Sequence, residues 1–229
     1  MKITRETLIN IPILENIKEE SIDYLMDNYS VVTLKKGDIL FHEKGKINRF
    51  YILLKGKVSL YKITSFGHKK VMYILNSREV INENVFDEYA ATVSCEAFQD
   101  IILLSYDKKK FMELMEKDFI LTKNILFSLS KKTRRLYRQL KNSVSIKIEK
   151  KIASKLWKLG KDFGVKRGDG KILIDLKISI TYLADMIGSS RETISRGIKS
   201  LEKLQILELK NKKIILDLKK VSDYYHEVL

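Results

Sequence analysis

Residues 178–207, ISITYLADMIGSSRETISRGIKSLEKLQIL, carry two helical apolar periods that meet at a single glycine. Leu183, Met186 and Ile187 make the first, and Ile194, Ile198, Leu201 and Leu204 make the second, with GSS between them. Steps of three and four residues gather each set on one face, so the stretch reads as a helix, a tight turn and a second helix. Gly188 stands where the first helix must stop and the chain reverse, a place for the residue that takes positive φ without strain. Two caps are open to the second helix: Ser190 alone, or Ser189 with Glu192 closing a capping box. Either way Ile194, Ile198 and Leu201 turn inward. Arg191, Glu192, Ser195 and Arg196 then share the outer face of the first turns. Arginine presents a two-pronged donor that fits O6 and N7 of guanine, and glutamate accepts from N4 of cytosine. The same charges on an arbitrary helix are ordinary solvated groups. Their position at the start of the second helix of such a pair points to base edges in a major groove.

The placement of charge agrees with that reading. The formal net charge is +15. Residues 1–104 hold 14 Lys/Arg and 14 Asp/Glu, whereas residues 105–229 hold 30 and 15, so the whole excess lies in the rear half. A neutral front joined to a basic rear is the electrostatic footprint of a nucleic-acid binder, because phosphate contacts supply much of the affinity. A chain of 229 residues has room for two modest domains with a core each. No apolar run approaches the roughly 20 residues needed to cross a bilayer, so no membrane partner is expected. The N-terminus turns acidic too soon for a signal peptide, and the expected location is cytoplasmic.

The octet SSRETISR and the residues after it, GIKSLE, resemble the recognition helix of the CRP/FNR superfamily of dimeric bacterial regulators. RETISR resembles both the cyclic-AMP receptor branch and the fumarate and nitrate regulator branch. The resemblance extends more weakly over nearly the whole chain. It implies an α+β architecture: an N-terminal β-roll of double-sheet, jelly-roll-like form as sensor over 1–106, a dimerisation helix over 107–142, and a winged helix-turn-helix over 143–229. It also implies a homodimer on double-stranded DNA with a pseudo-palindromic site of TGTGA- or TTGA-like halves, and RNA polymerase as a further partner if the regulator activates. The expected DNA contacts are Ser190, Arg191, Glu192, Ser195, Arg196, Lys199 and Lys212.

The front half supports the roll. Residues 4–30 read as short helices broken at Pro12. From Val31 onward the pattern becomes short alternating runs, VVTLKKGDILFHEKG, FYILLKGKVSLYKI, VMYIL, AATVSCEAF and IILLSY, with Gly37, Gly45, Gly56 and Gly67 at the turns. Cyclic-nucleotide binders of the family carry a Gly-Glu pair for the ribose and an arginine pair for the cyclic phosphate. Here those places hold Ile81 and Asn82, then Ala91 and Thr92, and residues 79–100 contain six acidic side chains and no Lys or Arg. A phosphate needs donors and positive charge. Cyclic AMP is therefore not expected unless cations arrive from elsewhere in the fold. Another small-molecule effector, with Asn82, Glu83 and Thr92 as candidate contacts, or regulation without any ligand, stays open. A cyclic-nucleotide-binding subunit of an enzyme or channel is the rival reading, opposed by the recognition helix.

Cys95 is the sole cysteine, so an intrachain disulfide and a thiolate-held iron-sulfur cluster are excluded, and a small buried residue is expected. His42, His68 and His226 are scattered, no catalytic motif is present, and neither a metal nor a cofactor nor an enzyme is expected. Phe119, Thr122, Leu126, Leu129, Thr133, Leu136 and Leu140 lie alternately three and four residues apart within a predicted helix from about Asp118 to Asn142. That is a heptad seam, which suits ordinary core or a partner helix, and the resemblance to the family's dimerisation helix implies the partner. Leu121, Ile125 and Tyr137 form a second set that serves the sensor. NSVS at 142–145 is the expected hinge. A helix from Ile148 ending at the glycines 160 and 164, a strand KILIDL, a hairpin wing with Lys210, Lys212 and Lys213 about Asn211, and a short closing helix complete the expectation.

Overall fold

The computed structural model describes residues 3–64, 67–141, 147–210 and 213–226. The chain forms two compact units, one of residues 1–62 and 71–136, the other of residues 63–70 and 137–229.

The first unit opens with α1 (Arg5–Ile9), a 3-10 turn at Pro12–Leu14 and α2 (Glu19–Asp27). Pro12 begins the 3-10 turn, where its missing amide costs no hydrogen bond. The strands follow: β1 (Ser30–Leu34), β2 (Ile39–Phe41), β3 (Arg49–Lys55), β4 (Val58–Ile63), β5 (Lys69–Leu75), β6 (Ser94–Ala97) and β7 (Ile101–Asp107). They make two sheets, β1-β7-β3 and β2-β6-β4-β5, and the roll is the double sheet expected. Alternation along β3 buries Phe50 and Ile52 on one face and Leu53 on the other side of the strand's pleat. One core, with Leu53, Val58, Leu75, Cys95 and Leu103, fills the space between the sheets. A second packs Phe50, Ile52 and Tyr106 against the helices, with Phe50 and Phe111 rings 4.2 Å apart.

Between β5 and β6 the chain makes a 3-10 turn at Glu83–Phe86. After β7 come α3 (Lys108–Lys117) and the long α4 (Phe119–Lys141). Asp118 joins them. Fully buried, its carboxylate accepts from the amides of Lys18, Ile120 and Leu121 and from the Ser21 hydroxyl, which ties the α2 entry to the first turn of α4. Leu121 and Ile125 are buried in the roll core as the second apolar set requires. Tyr137 is not: it is 68% exposed. At about 100° per residue, twelve residues beyond Ile125 turn the helix roughly 120° off that face. Phe119, Leu126, Leu136 and Leu140 of the seam are exposed too.

The second unit contains α5 (Ile148–Phe163), β8 (Gly164–Lys166), β9 (Ile172–Ile174), α6 (Ile180–Ile187), α7 (Arg191–Lys203), the hairpin β10 (Leu207–Lys210) and β11 (Lys213–Leu216), and α8 (Leu218–His226). Its sheet runs β10-β11-β9-β8. Gly160 does not end α5 but lies buried inside it, and the helix stops at Gly164. β8 was unmarked by the sequence pattern. The expected hinge at 142–145 and the wing-tip residues Asn211 and Lys212 lie outside the described residues.

Candidate functional site

Local rules set the helix pair of the second unit. Ser179 caps α6, its hydroxyl accepting from the Tyr182 amide at 3.0 Å. Gly188, at φ 76° and ψ 52°, ends the helix in the left-handed region while its amide donates to the Ala184 carbonyl. The next cap is Ser190, whose hydroxyl accepts from the Thr193 amide at 3.2 Å, and this decides between the two starts the sequence left open for α7. Glu192 is thereby not the capping-box partner. Its carboxyl is held below the usual range by its own amide and the Ser190 hydroxyl, with Arg191 and Arg196 adding to the effect. An ionised Glu192 is purely an acceptor.

Below this surface, Ile194, Ile198 and Leu201 are buried. α5 crosses so close that a Cβ on Gly197 would lie 2.4 Å from Cδ1 of the buried Ile152. That contact fixes α7 on its support. Above it, Ser190, Arg191, Glu192, Arg196 and Lys199 are exposed and Ser195 is half-buried. Five of the seven expected contact residues, Arg191, Glu192, Ser195, Arg196 and Lys199, therefore lie on the outer side of α7, Ser190 stands at its cap, and the seventh, Lys212, falls outside the described residues.

In the first unit the three candidate effector contacts line one cavity of about 330 Å³. All three are already occupied with the protein. Asn82 is buried, its Oδ1 accepting from the Tyr51 amide and its Nδ2 donating to the Arg49 carbonyl, so it pins the turn to β3. Thr92 accepts from Asn84 at 3.1 Å. Glu83 is 3% exposed, and its two carboxylate oxygens receive the Ser128 hydroxyl and the Lys132 ammonium of α4. Lys132 also donates to the Val80 carbonyl at 2.9 Å. Residues 79–100 indeed bring no cation, but Lys62 from β4 and Lys132 from α4 reach the cavity wall. Sequence reasoning missed these two and Ser128. The one available signal was helical phase, since 125, 128, 129 and 132 fall on one side of α4. Cys95 lies buried between the sheets, and burial pushes its thiol far above the usual value, which leaves it unreactive.

Comparison with known proteins meets this geometry at both ends. Residues 31–118 match the family described as cyclic nucleotide-binding domain, and residues 150–224 match the Crp-like helix-turn-helix domain. The chain belongs to the CRP/FNR superfamily of transcription regulators. This CRP/FNR regulator is 21% identical over 212 residues to the CRP-like cAMP-activated global transcriptional regulator of Mycobacterium tuberculosis, covering 92% of this chain and 94% of that one. It is 27% identical over 190 residues to the global nitrogen regulator of Nostoc sp., covering 80% and 83% of the two chains. Among solved structures, FixK2 from Bradyrhizobium japonicum superposes with a TM-score of 0.76 at 16% identity, over 88% of this chain and 99% of that one. The CRP/FNR regulator thus has the helix-turn-helix DNA-binding domain of its family. Among the described residues no helix is long and apolar enough to cross a membrane.

Proposed function

We propose that this regulator acts in the cytoplasm as a homodimer that reads a pseudo-palindromic operator with TGTGA- or TTGA-like halves. The observation that carries the reading is the outer face of α7, where Arg191, Glu192, Arg196 and Lys199 stand exposed above a buried inner face. Arg191 and Arg196 take guanines, Glu192 takes a cytosine on the opposite strand, and Ser195 takes a base or methyl edge. Ser190 caps the helix against a phosphate, and Lys199 and Lys212 add phosphate contacts. Phe119, Leu126, Leu136 and Leu140 are exposed in a single chain, and a second α4 in a dimer covers them, with residues 107–142 as the dimerisation segment. Two recognition helices then sit roughly 34 Å apart, one turn of DNA. If the dimer activates transcription, RNA polymerase is its further partner.

Control falls to the cavity of the roll, with a small-molecule effector that is not a cyclic nucleotide. In favour of this stand Ala91 and Thr92 in the place of the family's phosphate-binding pair, and a lysine already paired with Glu83. The test is selection of bound fragments from random DNA by the purified protein at stated salt, with sedimentation of the free protein beside it. The expected result is a two-fold symmetric motif and a dimer. A monomer that retains random and palindromic fragments alike refutes the reading.

A further inference from the structure

The roll cavity has a chemistry of its own. Most of its wall is apolar, with Leu60, Met72, Ile81, Val93, Leu129 and Leu136 among its lining. Its ionisable lining groups of formal charge at neutral pH are Lys62, Lys132 and Glu83. Glu83 is spent on α4, and Lys62 is held by Glu43 at 2.9 Å. Lys132 differs. Among the described residues its ammonium has two acceptors, Glu83 and the Val80 carbonyl, and an ammonium has three N–H donors. One donor is left for a visiting acceptor.

We propose that this cavity binds a small amphipathic monocarboxylate, an apolar chain or ring with one carboxylate, whose head takes the remaining donor of Lys132 and whose body lies on Leu60, Met72, Ile81 and Leu129. The inference names the effector class for the regulator proposed above and rests on that reading. Charge selects the head. A carboxylate accepts the remaining Lys132 N–H in a hydrogen bond of the strong, charge-assisted kind. A cation finds both oxygens of Glu83 already taken by Ser128 and Lys132. The apolar part of the wall selects the body, because an apolar chain or ring gives up no hydrogen bonds to water when it is buried there. Volume is of the right order, since small-molecule sites run from roughly 300 Å³ upward.

Calorimetric titration of the full-length protein with octanoate, octanamide, octylammonium and cyclic AMP tests this. Octanoate is expected to saturate at one per chain, octanamide to bind about tenfold more weakly for want of the charged hydrogen bond, and octylammonium and cyclic AMP to give no binding. Removing Lys132 alone would strand a buried carboxylate, so the variant is the double substitution Lys132→Met with Glu83→Gln, its folding checked by thermal unfolding. It is expected to bind octanoate no better than octanamide. Leu129→Trp fills the cavity and is expected to abolish both. Equal affinity of the wild type for octanoate and octanamide, undiminished octanoate binding by the double variant, or no binding of octanoate at all overturns the proposal. If octanoate fails while cell extract changes operator affinity, the ligand class falls and effector control stands. If octanoate binds and neither it nor extract alters operator affinity, the site stands and effector control falls.

Discussion

On α7 the charges of Arg191, Glu192, Arg196 and Lys199 stand in solvent, whereas in the roll Glu83 is almost wholly buried and both of its oxygens are bonded to α4. The contrast separates two uses of the same chemistry. An exposed charge contributes little to the fold, because water screens it and a surface ion pair is worth roughly 0–1 kcal/mol. It is free to meet an outside partner and costs the fold nothing when replaced. A buried charge is committed. Its desolvation is offset only by partners in place, and removing one of them leaves the other stranded. Substitution should therefore report on binding in one region and on stability in the other.

The sharpest way to break this division is Lys132→Met. The loss of one partner from the Glu83 pair is expected to cost about 3 kcal/mol of stability, read as a lower urea midpoint, and Glu83→Gln in the same chain should restore most of it. If the single substitution leaves the midpoint unchanged, the roll does not depend on that pair. Asp118→Ala comes next, with about 2 kcal/mol lost as three amides and a hydroxyl lose their acceptor. Burial pushes this carboxyl up, but the hydrogen bonds from Ser21, Lys18, Leu121 and Ile120 outweigh it and its pKa is lowered. The unfolded chain therefore takes up the proton at higher pH than the folded one. The contribution is present above the ordinary aspartate value and is lost as pH falls through the lower folded value. Thermal unfolding of wild type and Asp118→Ala should converge as acid is added below about pH 4.

Arg196→Ala should leave the unfolding curve in place and weaken operator binding by roughly 1–3 kcal/mol, relaxing preference at one base pair. Lys212→Ala should weaken binding to every sequence alike and lower the salt slope by about one. Equal losses of specificity from both would merge two roles held apart here. The smallest effect is expected from Ser190→Ala, about 1 kcal/mol of helix stability from the lost cap, measured by unfolding in the absence of DNA.

How much the sequence revealed follows the range of the interactions concerned. α6, Gly188 and α7 are set by periods, caps and a positive-φ glycine within a few residues, and all of them could be read directly. The strand runs of the roll were legible for the same reason. The Glu83–Lys132 pair spans 49 residues and the Lys18–Asp118 bond spans 100, and no local pattern records such partners. β8 escaped because GVK has no alternation of its own and exists as a strand by pairing with β9. The apolar type of Tyr137 suggested burial, but its angular position on α4 decides, and the ring faces out. Asn82 and Thr92 line the cavity, yet their polar atoms already have internal partners.

Gly197 carries a consequence for how this regulator can change its target. With Ile152 filling the space beneath it, a single methyl group at position 197 must act as a wedge, either displacing a side chain that has nowhere to go or lifting the rod that presents the arginines. Operator preference can then be retuned from below, by altering the seat of the helix, without touching any residue that meets a base.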